Sequence, residues 1–440
     1  MSDKNKLTAT FIALIAMIVV IGGVMMLSNG LNANNNGQGG PAAGVSRVTT
    51  GGPSTTKAGT TGEASQNGTT KENAANTATT ETVATEAVTE ALDSIEQRIN
   101  DMSLHEKVCQ LFIVTPEGLT KGGNYTAANE TTKASLKEYP VGGIVYFSKN
   151  IESADAISEM ISNTSEYAAE EGMIPLFYSV DEEGGTVARC AEKAGTTSFS
   201  PMYDYKSEGE KTAYDNAKQI ATDISGLGFN LDFAPVADTW SNPANTVIGK
   251  RAYSDDFHEA ATLSSSAVKG FQDGGVFCTL KHFPGHGNTS GDSHYGVVYS
   301  DKNIAQLLSA EFLAFRSGID AGADMVMVGH ITMNGVDRLP ASISRIMITS
   351  ELRSRLGFDG VIITDSLSMK AVADNYSSGE LAVRVLEAGG DMLLMPADLG
   401  AAATGVEAAV AEGRLSEERI DESVYRILEL KSKKMDITNK

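Results

Sequence analysis

Short apolar runs recur eight times between residues 110 and 396, and a polar or glycine-rich break follows each of them. The runs are continuously apolar rather than alternating, which is typical of strands that are covered on both faces of a sheet. They are QLFIV from Gln110, GGIVYF from Gly142, IPLFYSVD from Ile174, NLDFAPVAD from Asn230, GVFCTLKHF from Gly275, DMVMVGH from Asp324, GVIITD from Gly360 and DMLLMP from Asp391. Each run therefore predicts a buried strand.

The segments between the runs have apolar residues at the spacing of an amphipathic helix. Examples are ADAISEMISNTSEYAAEEG from Ala154 and SAEFLAFRSGIDAGA from Ser309. Eight strand–helix repeats over roughly 345 residues predict an α/β fold, a TIM-like (β/α)8 barrel with insertions. A doubly wound sheet is the alternative, although it usually has fewer strands at this length.

The first part of the chain has another pattern, because residues 7–27 are apolar or small throughout and carry no charge. As a helix of about 1.5 Å per residue, this stretch spans roughly 31 Å, enough to cross a bilayer core. Lys4 and Lys6 precede it and no basic cluster follows, so the N-terminus is expected to stay in the cytoplasm. A cleaved signal sequence is the alternative, although its apolar core is usually shorter.

Both interpretations place the rest of the chain outside the cytoplasm. The expected location is the cell membrane, with a single span and an extracellular domain, and the alternative is secretion after signal cleavage. Residues 28–90 are rich in Asn, Gly, Thr and Ala and cannot bury enough apolar surface to fold, so they predict a disordered linker. The predicted organisation is therefore residues 1–27 as cytoplasmic stub and anchor or signal, 28–90 as linker and 91–440 as the (β/α)8 domain.

Charge and cysteine content exclude some functions. The formal net charge of −21 argues against nucleic acid as a partner, because phosphate binding needs a basic face. The three cysteines are far apart in the chain and form no CxxC pair. Cys278 lies in an apolar run and is expected to be a buried thiol rather than a disulfide partner or metal ligand.

Charged side chains stand at the ends of several predicted strands. A charge directly after an apolar run is costly unless it is paired or used, and active sites of (β/α)8 barrels lie at the C-terminal ends of their strands. Taken singly, Asp238 and His330 are better interpreted as structural partners. Charged or titratable side chains nevertheless recur at so many strand ends that together they predict an active site. The side chains at these ends are Asp181, Asp238, Lys281, His282, His330 and Asp365.

The segment KHFPGHGNTSGDSHYG, which begins at Lys281, contains three of the six histidines of the chain. His282 and His286 are four residues apart, as in helical zinc sites. However, Pro284 and the neighbouring glycines disfavour a helix, and no glutamate follows His282 to serve as the base of a zinc hydrolase. We therefore expect no metal and no cofactor, while a loop without a chemical role remains an alternative.

Asp292 and His294 favour proton transfer. In an extended loop, residues two apart project to the same side, so Asp292 can bond one ring nitrogen of His294. That contact fixes the tautomer, favours the imidazolium and leaves the other nitrogen free to act as acid and base.

Four motifs, in this order along the chain, resemble those of glycoside hydrolase family 3. They are DEEGGTVAR from Asp181, VIGKRAY from Val247, KHFPGHGNTSGDSH from Lys281 and GVIITDSLSM from Gly360. The resemblance covers about residues 93–437 and points to the β-N-acetylglucosaminidase branch, which cleaves peptidoglycan fragments. It implies a TIM-like catalytic barrel, in agreement with the strand pattern.

The resemblance implies a role for each residue at a matching position. Asp365 takes the position of the catalytic nucleophile, and Asp292 with His294 takes that of the acid/base pair. Thr186 departs from the pattern, because relatives often have a basic residue there. The residues that match positions binding the N-acetylglucosamine ring are Asp181, Arg189, Arg251, Lys281 and His282.

The implied reaction is retaining hydrolysis of terminal β-linked N-acetylglucosamine through a glycosyl-enzyme, with oligosaccharides or muropeptides as substrates. A phosphorylase or another β-glycosidase on the same scaffold is an alternative, because a neutral histidine repels an incoming phosphate less than a carboxylate does. A non-catalytic cell-wall-binding protein would be expected to lack Asp365 or His294, and the chain has both.

Overall fold

The structure is a computed structural model of the 440-residue chain, and it describes residues 94–123, 125–292 and 296–437. The predicted anchor or signal at residues 7–27 and the predicted linker at 28–90 lie outside the described residues. Among the helices of the described ranges, none is long and apolar enough to cross a membrane.

Eight parallel strands form the centre of the fold. In chain order they are β1 (Phe112–Val114), β2 (Gly143–Val145), β3 (Phe177–Val180), β4 (Leu231–Asp232), β5 (Phe277–Phe283), β6 (Met325–Val328), β7 (Val361–Thr364) and β8 (Leu393–Leu394). Each of the eight apolar runs of the sequence contains one of these strands. Every residue of β1, β3, β6 and β7 is buried, which explains why their runs are continuously apolar.

The sheet follows chain order and is nearly closed. Strands β1 to β7 lie side by side, and β8 pairs with the free edge of β1. The parallel bridge between Ile363 and Met392 then links β7 to the start of β8. A doubly wound sheet would reverse its strand order at a switch point. The predicted TIM-like barrel is therefore confirmed, and the doubly wound alternative is wrong.

Helices alternate with the strands. The helix Ala154–Glu170 shows why: Ser153 caps its first turn by accepting a hydrogen bond from Ala156 N, and one face is buried at helical spacing. The α-helices are 94–101, Leu104–Gln110, Pro116–Thr120, Glu130–Glu138, Ala154–Glu170, Ala191–Ala194, Glu210–Gly226, Phe257–Asp273, Ile304–Leu308, Phe312–Asp320, Lys370–Ala373, Ser378–Ala388, Leu399–Ala411 and Glu417–Ser432. The described residues also form 3-10 turns at Ser148–Asn150, Met202–Glu208, Gly249–Arg251 and Ala341–Ile343. A π-helix spans Ile346–Arg355.

Two small sheets extend the C-terminal ends of the barrel strands. Val298–Ser300 pairs in parallel with Ile331–Met333, and a hairpin of Glu182–Gly184 with Val187–Ala188 follows β3 directly. The hairpin turn contains Gly185, whose φ of +61° favours glycine, and a Cβ there would lie 2.6 Å from Pro201 Cα. This turn accounts for the glycine pair in the DEEGG motif, and it sets the positions of the acidic residues before it.

Cys278 is buried, as the sequence predicts. All three are buried and free, and burial raises the pKa of the Cys278 thiol. They are therefore unreactive side chains of the core.

Candidate active site

One cavity of about 670 Å³ lies at the C-terminal ends of the barrel strands. Seven of the eight residues predicted for the site line it: Asp181, Arg189, Arg251, Lys281, His282, Asp292 and Asp365. The eighth, His294, lies outside the described residues. The fold therefore brings together residues that are up to 184 positions apart in the chain, as the Asp181–Asp365 separation shows.

Lys281 is a buried cation in the wall of this cavity, with only 2% of its surface exposed. Its Nζ lies 2.7 Å from Asp181 Oδ1 and 2.6 Å from Glu183 Oε1. Burial alone would lower the pKa of Lys281, but the two carboxylates outweigh burial and raise it. Lys281 therefore stays protonated and holds the Asp181 carboxylate at the cavity surface.

Glu183 connects Lys281 to Arg251. Arg251 donates from Nε and Nη2 to the two carboxylate oxygens of Glu183, at 2.8 and 2.7 Å, and from Nη1 to Val247 O at 3.0 Å. Burial would raise the pKa of Glu183, but Arg251 and Lys281 hold it well below its usual range. Much of the donor capacity of Arg251 is thus engaged by protein groups, so its contact with a sugar stays a prediction.

Arg189 lies on a more exposed side of the cavity. Its Nη2 is 3.9 Å from Asp181 Oδ2, and its guanidinium carbon is 5.7 Å from the centre of the Phe147 ring. The ring limits where the guanidinium can go, and Nη2 lies beyond hydrogen-bond distance of Asp181.

Asp238 holds the beginning of the histidine-rich loop. Its Oδ2 lies 2.7 Å from His282 Nδ1 and accepts from His282 N at 3.1 Å, while Oδ1 accepts from His286 N at 2.5 Å. Burial would raise the pKa of Asp238, but the His282 imidazole outweighs burial and lowers it. His330 is also buried, and its Nδ1 lies 2.7 Å from Ser342 Oγ. Both residues have the structural contacts that the sequence interpretation favoured.

Asp365 follows β7 directly and is half-buried at the cavity surface. Its backbone N donates to Val328 O at 2.9 Å, and its Oδ1 accepts from Ser366 N at 2.7 Å. Burial by itself would raise the pKa of Asp365, but His282, His330 and the Ser366 N–H outweigh burial and lower it. The surroundings therefore keep Asp365 ionised, which is the state that a carboxylate nucleophile needs.

Asp292 lies further along the loop after β5, where it is half-buried and lines the cavity. The base of this loop is tied to the segment after β4, because Asn245 Nδ2 donates to His286 O at 2.8 Å. At Gly287 a Cβ would lie 1.8 Å from Thr239 O, so only glycine lets the loop pass this close to the backbone. These contacts direct the loop towards the cavity, and the Asp292–His294 pairing stays a prediction.

Comparison with known proteins decides the family. Residues 103–430 match the Glycosyl hydrolase family 3 N terminal domain. The chain belongs to glycosyl hydrolase family 3. The family resemblance inferred from the four motifs is thereby confirmed.

Three relatives show how far the similarity extends. Beta-hexosaminidase LpqI of Mycobacterium tuberculosis is 32% identical over 339 residues, which cover 75% of this chain and 83% of that protein. Beta-hexosaminidase A of Pseudoalteromonas piscicida is 31% identical over 348 residues, but the match covers 72% of this chain and only 58% of that protein. A solved glycoside hydrolase family 3 beta-N-acetylglucosaminidase from Paenibacillus sp. str. FPU-7 is 38% identical with a TM-score of 0.71, over 76% of this chain and 63% of that chain.

Sequence reasoning missed two residues of the family 3 cavity, Glu183 and His286. Glu183 is two residues after Asp181, and that spacing alone places both carboxylates on one side of an extended chain. His286 was considered only as a metal ligand. The segment from Pro284 to His286 is not helical, so it lacks the geometry of a helical zinc pair, and the described residues contain no group of three or more potential ligands that could hold a metal ion.

Proposed function

We propose that this family 3 protein is a retaining β-N-acetylhexosaminidase that removes terminal β-linked N-acetylglucosamine from peptidoglycan fragments or related oligosaccharides. The observation that carries the proposal is the Asp365 carboxylate, which directly follows β7 and lines one cavity together with Asp181, Arg189 and Lys281. The choice of sugar is supported by the relatives, which are named beta-hexosaminidase and beta-N-acetylglucosaminidase.

In the first step an Asp365 oxygen attacks the anomeric carbon, C1, while the bond from C1 to the leaving oxygen breaks. The leaving oxygen takes a proton from His294, and the sugar remains on Asp365 as an ester. Asp292 lines the same cavity and would orient the His294 ring and favour its protonated form.

In the second step a water molecule attacks C1 of the ester. His294 takes a proton from that water, the C1–Asp365 bond breaks and the carboxylate is regenerated. Each displacement inverts C1, so the released sugar keeps the β configuration of the substrate.

Asp181, Lys281 and Arg189 form the polar wall that would orient the sugar ring. Lys281 and Asp181 already contact each other at 2.7 Å, so they offer a donor and an acceptor whose positions are fixed before a ligand arrives. Charge-assisted hydrogen bonds are strong and directional. Such bonds to the sugar hydroxyls would keep C1 close to Asp365 and thereby raise the rate of attack.

The proposed mechanism predicts the stereochemistry of the product. We expect purified protein to release N-acetylglucosamine with retained β configuration from a nitrophenyl β-N-acetylglucosaminide and from disaccharide fragments of peptidoglycan. Proton NMR of the first product formed, before mutarotation, measures the configuration. The reaction should be repeated with phosphate, because formation of a sugar 1-phosphate would identify the phosphorylase alternative. An α product would contradict double displacement.

We further propose an extracytoplasmic location, because residues 7–27 have the length and apolarity of a membrane span. We expect the full chain to fractionate with membranes and to be degraded by protease added to intact, wall-stripped cells. A variant without residues 2–27 is the matched control, and it should stay in the cytosol and resist the protease. Recovery of the full-length chain in the cytosol would contradict this proposal.

A further inference from the structure

His286 lines the cavity, yet the mechanism above gives it no role. Only 3% of its surface is exposed, and its Nε2 is buried without a hydrogen bond from any group in the described part of the chain. Its other ring nitrogen, Nδ1, lies 2.9 Å from Thr289 Oγ1. A buried polar atom without a partner costs free energy. Nε2 is therefore placed to complete a hydrogen bond with a ligand.

The ring of His286 is held neutral. Burial lowers its pKa, and the Asp238 and Asp365 carboxylates only partly offset burial. A neutral imidazole has one N–H and one lone pair, so Nε2 is a donor in one tautomer and an acceptor in the other. The Thr289 hydroxyl on Nδ1 can donate or accept and is compatible with both tautomers.

The position of His286 relative to Asp365 selects the ligand group. His286 and Asp365 line the same cavity, and the His286 ring lies 6.0 Å from the His282 ring. In the proposed mechanism a sugar with C1 at Asp365 therefore occupies the cavity that His286 also lines. Of the two ring atoms next to C1, the ring oxygen carries no hydrogen, and C2 carries the acetamido group. An acetamide offers both an N–H and a carbonyl oxygen, so either tautomer of His286 finds a partner there.

We propose that His286 Nε2 forms a hydrogen bond with the 2-acetamido group of the bound sugar and thereby selects 2-acetamido sugars. This inference rests on the proposed hexosaminidase function. In this proposal His286 binds the substituent at C2, while Asp181, Arg189 and Lys281 bind the sugar hydroxyls. A site built to bond a polar group rejects analogues that lack the group, because its own buried atom then stays unpaired.

Two replacements of His286 test the contribution of Nε2 separately from that of Nδ1. His286→Asn keeps an amide near the position of Nδ1, within reach of Thr289, but has no atom at the position of Nε2. His286→Gln places its amide near Nε2, where its oxygen or its nitrogen can replace the ring nitrogen. The two variants are alike in polarity, so their comparison reports on the position of the hydrogen-bonding atom.

The variants should be compared on a nitrophenyl β-N-acetylglucosaminide and on the nitrophenyl 2-deoxy-β-glucoside, which has no substituent at C2. We expect His286→Asn to lower kcat/KM for the N-acetyl substrate roughly 10- to 100-fold, and to lower it less than about threefold for the 2-deoxy substrate. His286→Gln should recover much of the loss on the N-acetyl substrate. Because both substrates report on the same folded fraction, the ratio of the two losses remains meaningful even if a variant is less stable.

Equal losses on the two substrates would overturn the proposal, because a ring that braces the loop or binds another hydroxyl affects both alike. His286→Gln performing no better than His286→Asn on the N-acetyl substrate would overturn it as well. A wild-type protein that cleaves neither substrate would instead contradict the hexosaminidase proposal itself. The two failures are therefore distinguishable.

Discussion

Replacement of Asp365 by alanine should lower kcat for a nitrophenyl β-N-acetylglucosaminide by about 10⁴-fold or more, because it removes the carboxylate that we propose attacks C1. Steady-state release of nitrophenol measures the loss. Asp359→Ala is the matched control, since this exposed carboxylate precedes β7 and lies at the opposite end of the strand. The control should keep wild-type activity.

Two further measurements distinguish a nucleophile from a carboxylate that only stabilises charge. Azide should restore turnover to Asp365→Ala and give the α-glycosyl azide, because the small anion enters from the face that the carboxylate left. In the wild-type protein, a 5-fluoro N-acetylglucosaminyl fluoride should lose fluoride from C1 and leave the sugar as an ester on Asp365. Mass spectrometry of the labelled peptide identifies the residue. A label on any other side chain would contradict the role of Asp365.

The barrel could be predicted because its strands are buried on both faces. Burial on both faces requires apolar residues at consecutive positions, and this pattern is visible without any knowledge of pairing. The extent of each strand could not be predicted in the same way. The run from Asn230 has nine residues, but β4 within it has only two, and Pro235 has no N–H for a ladder hydrogen bond.

Part of the cavity could also be predicted, from the residues that stand at the ends of the strands. Residues at or just after the C-terminal ends of barrel strands reach the same end of the barrel, so the sequence predicts that Asp181, Lys281 and Asp365 lie near one another. The Glu183–Arg251 pair could not be predicted, because it joins residues 68 positions apart across a hairpin and a 3-10 turn. The partnerless Nε2 of His286 depends on every neighbour of the ring and is visible only in the folded chain.

His294 is expected to protonate the leaving oxygen, and His294→Ala should therefore separate substrates by the quality of their leaving groups. Nitrophenol leaves without protonation, so the glycosyl-enzyme should form at a nearly normal rate from the nitrophenyl glycoside. A natural disaccharide needs the proton and should lose ~10²–10⁴-fold in kcat/KM. Hydrolysis of the ester should also slow, because the same imidazole activates water. Stopped-flow measurement should then show a burst of about one nitrophenol per active site.

Asp292→Ala gives the matched test, because in the proposed mechanism Asp292 acts through His294. It should show the same substrate dependence more mildly, since the ring loses its orientation and its anionic partner but remains present. In the proposed pairing the Asp292 carboxylate favours the imidazolium, so its removal should lower the pKa of the His294 ring. The acid form is lost as pH rises through this pKa, so the activity of Asp292→Ala should decline at a lower pH than that of the wild type. If His294→Ala is impaired equally on both substrates and shows no burst, the histidine binds the sugar or braces the loop, and the proton must come from another group.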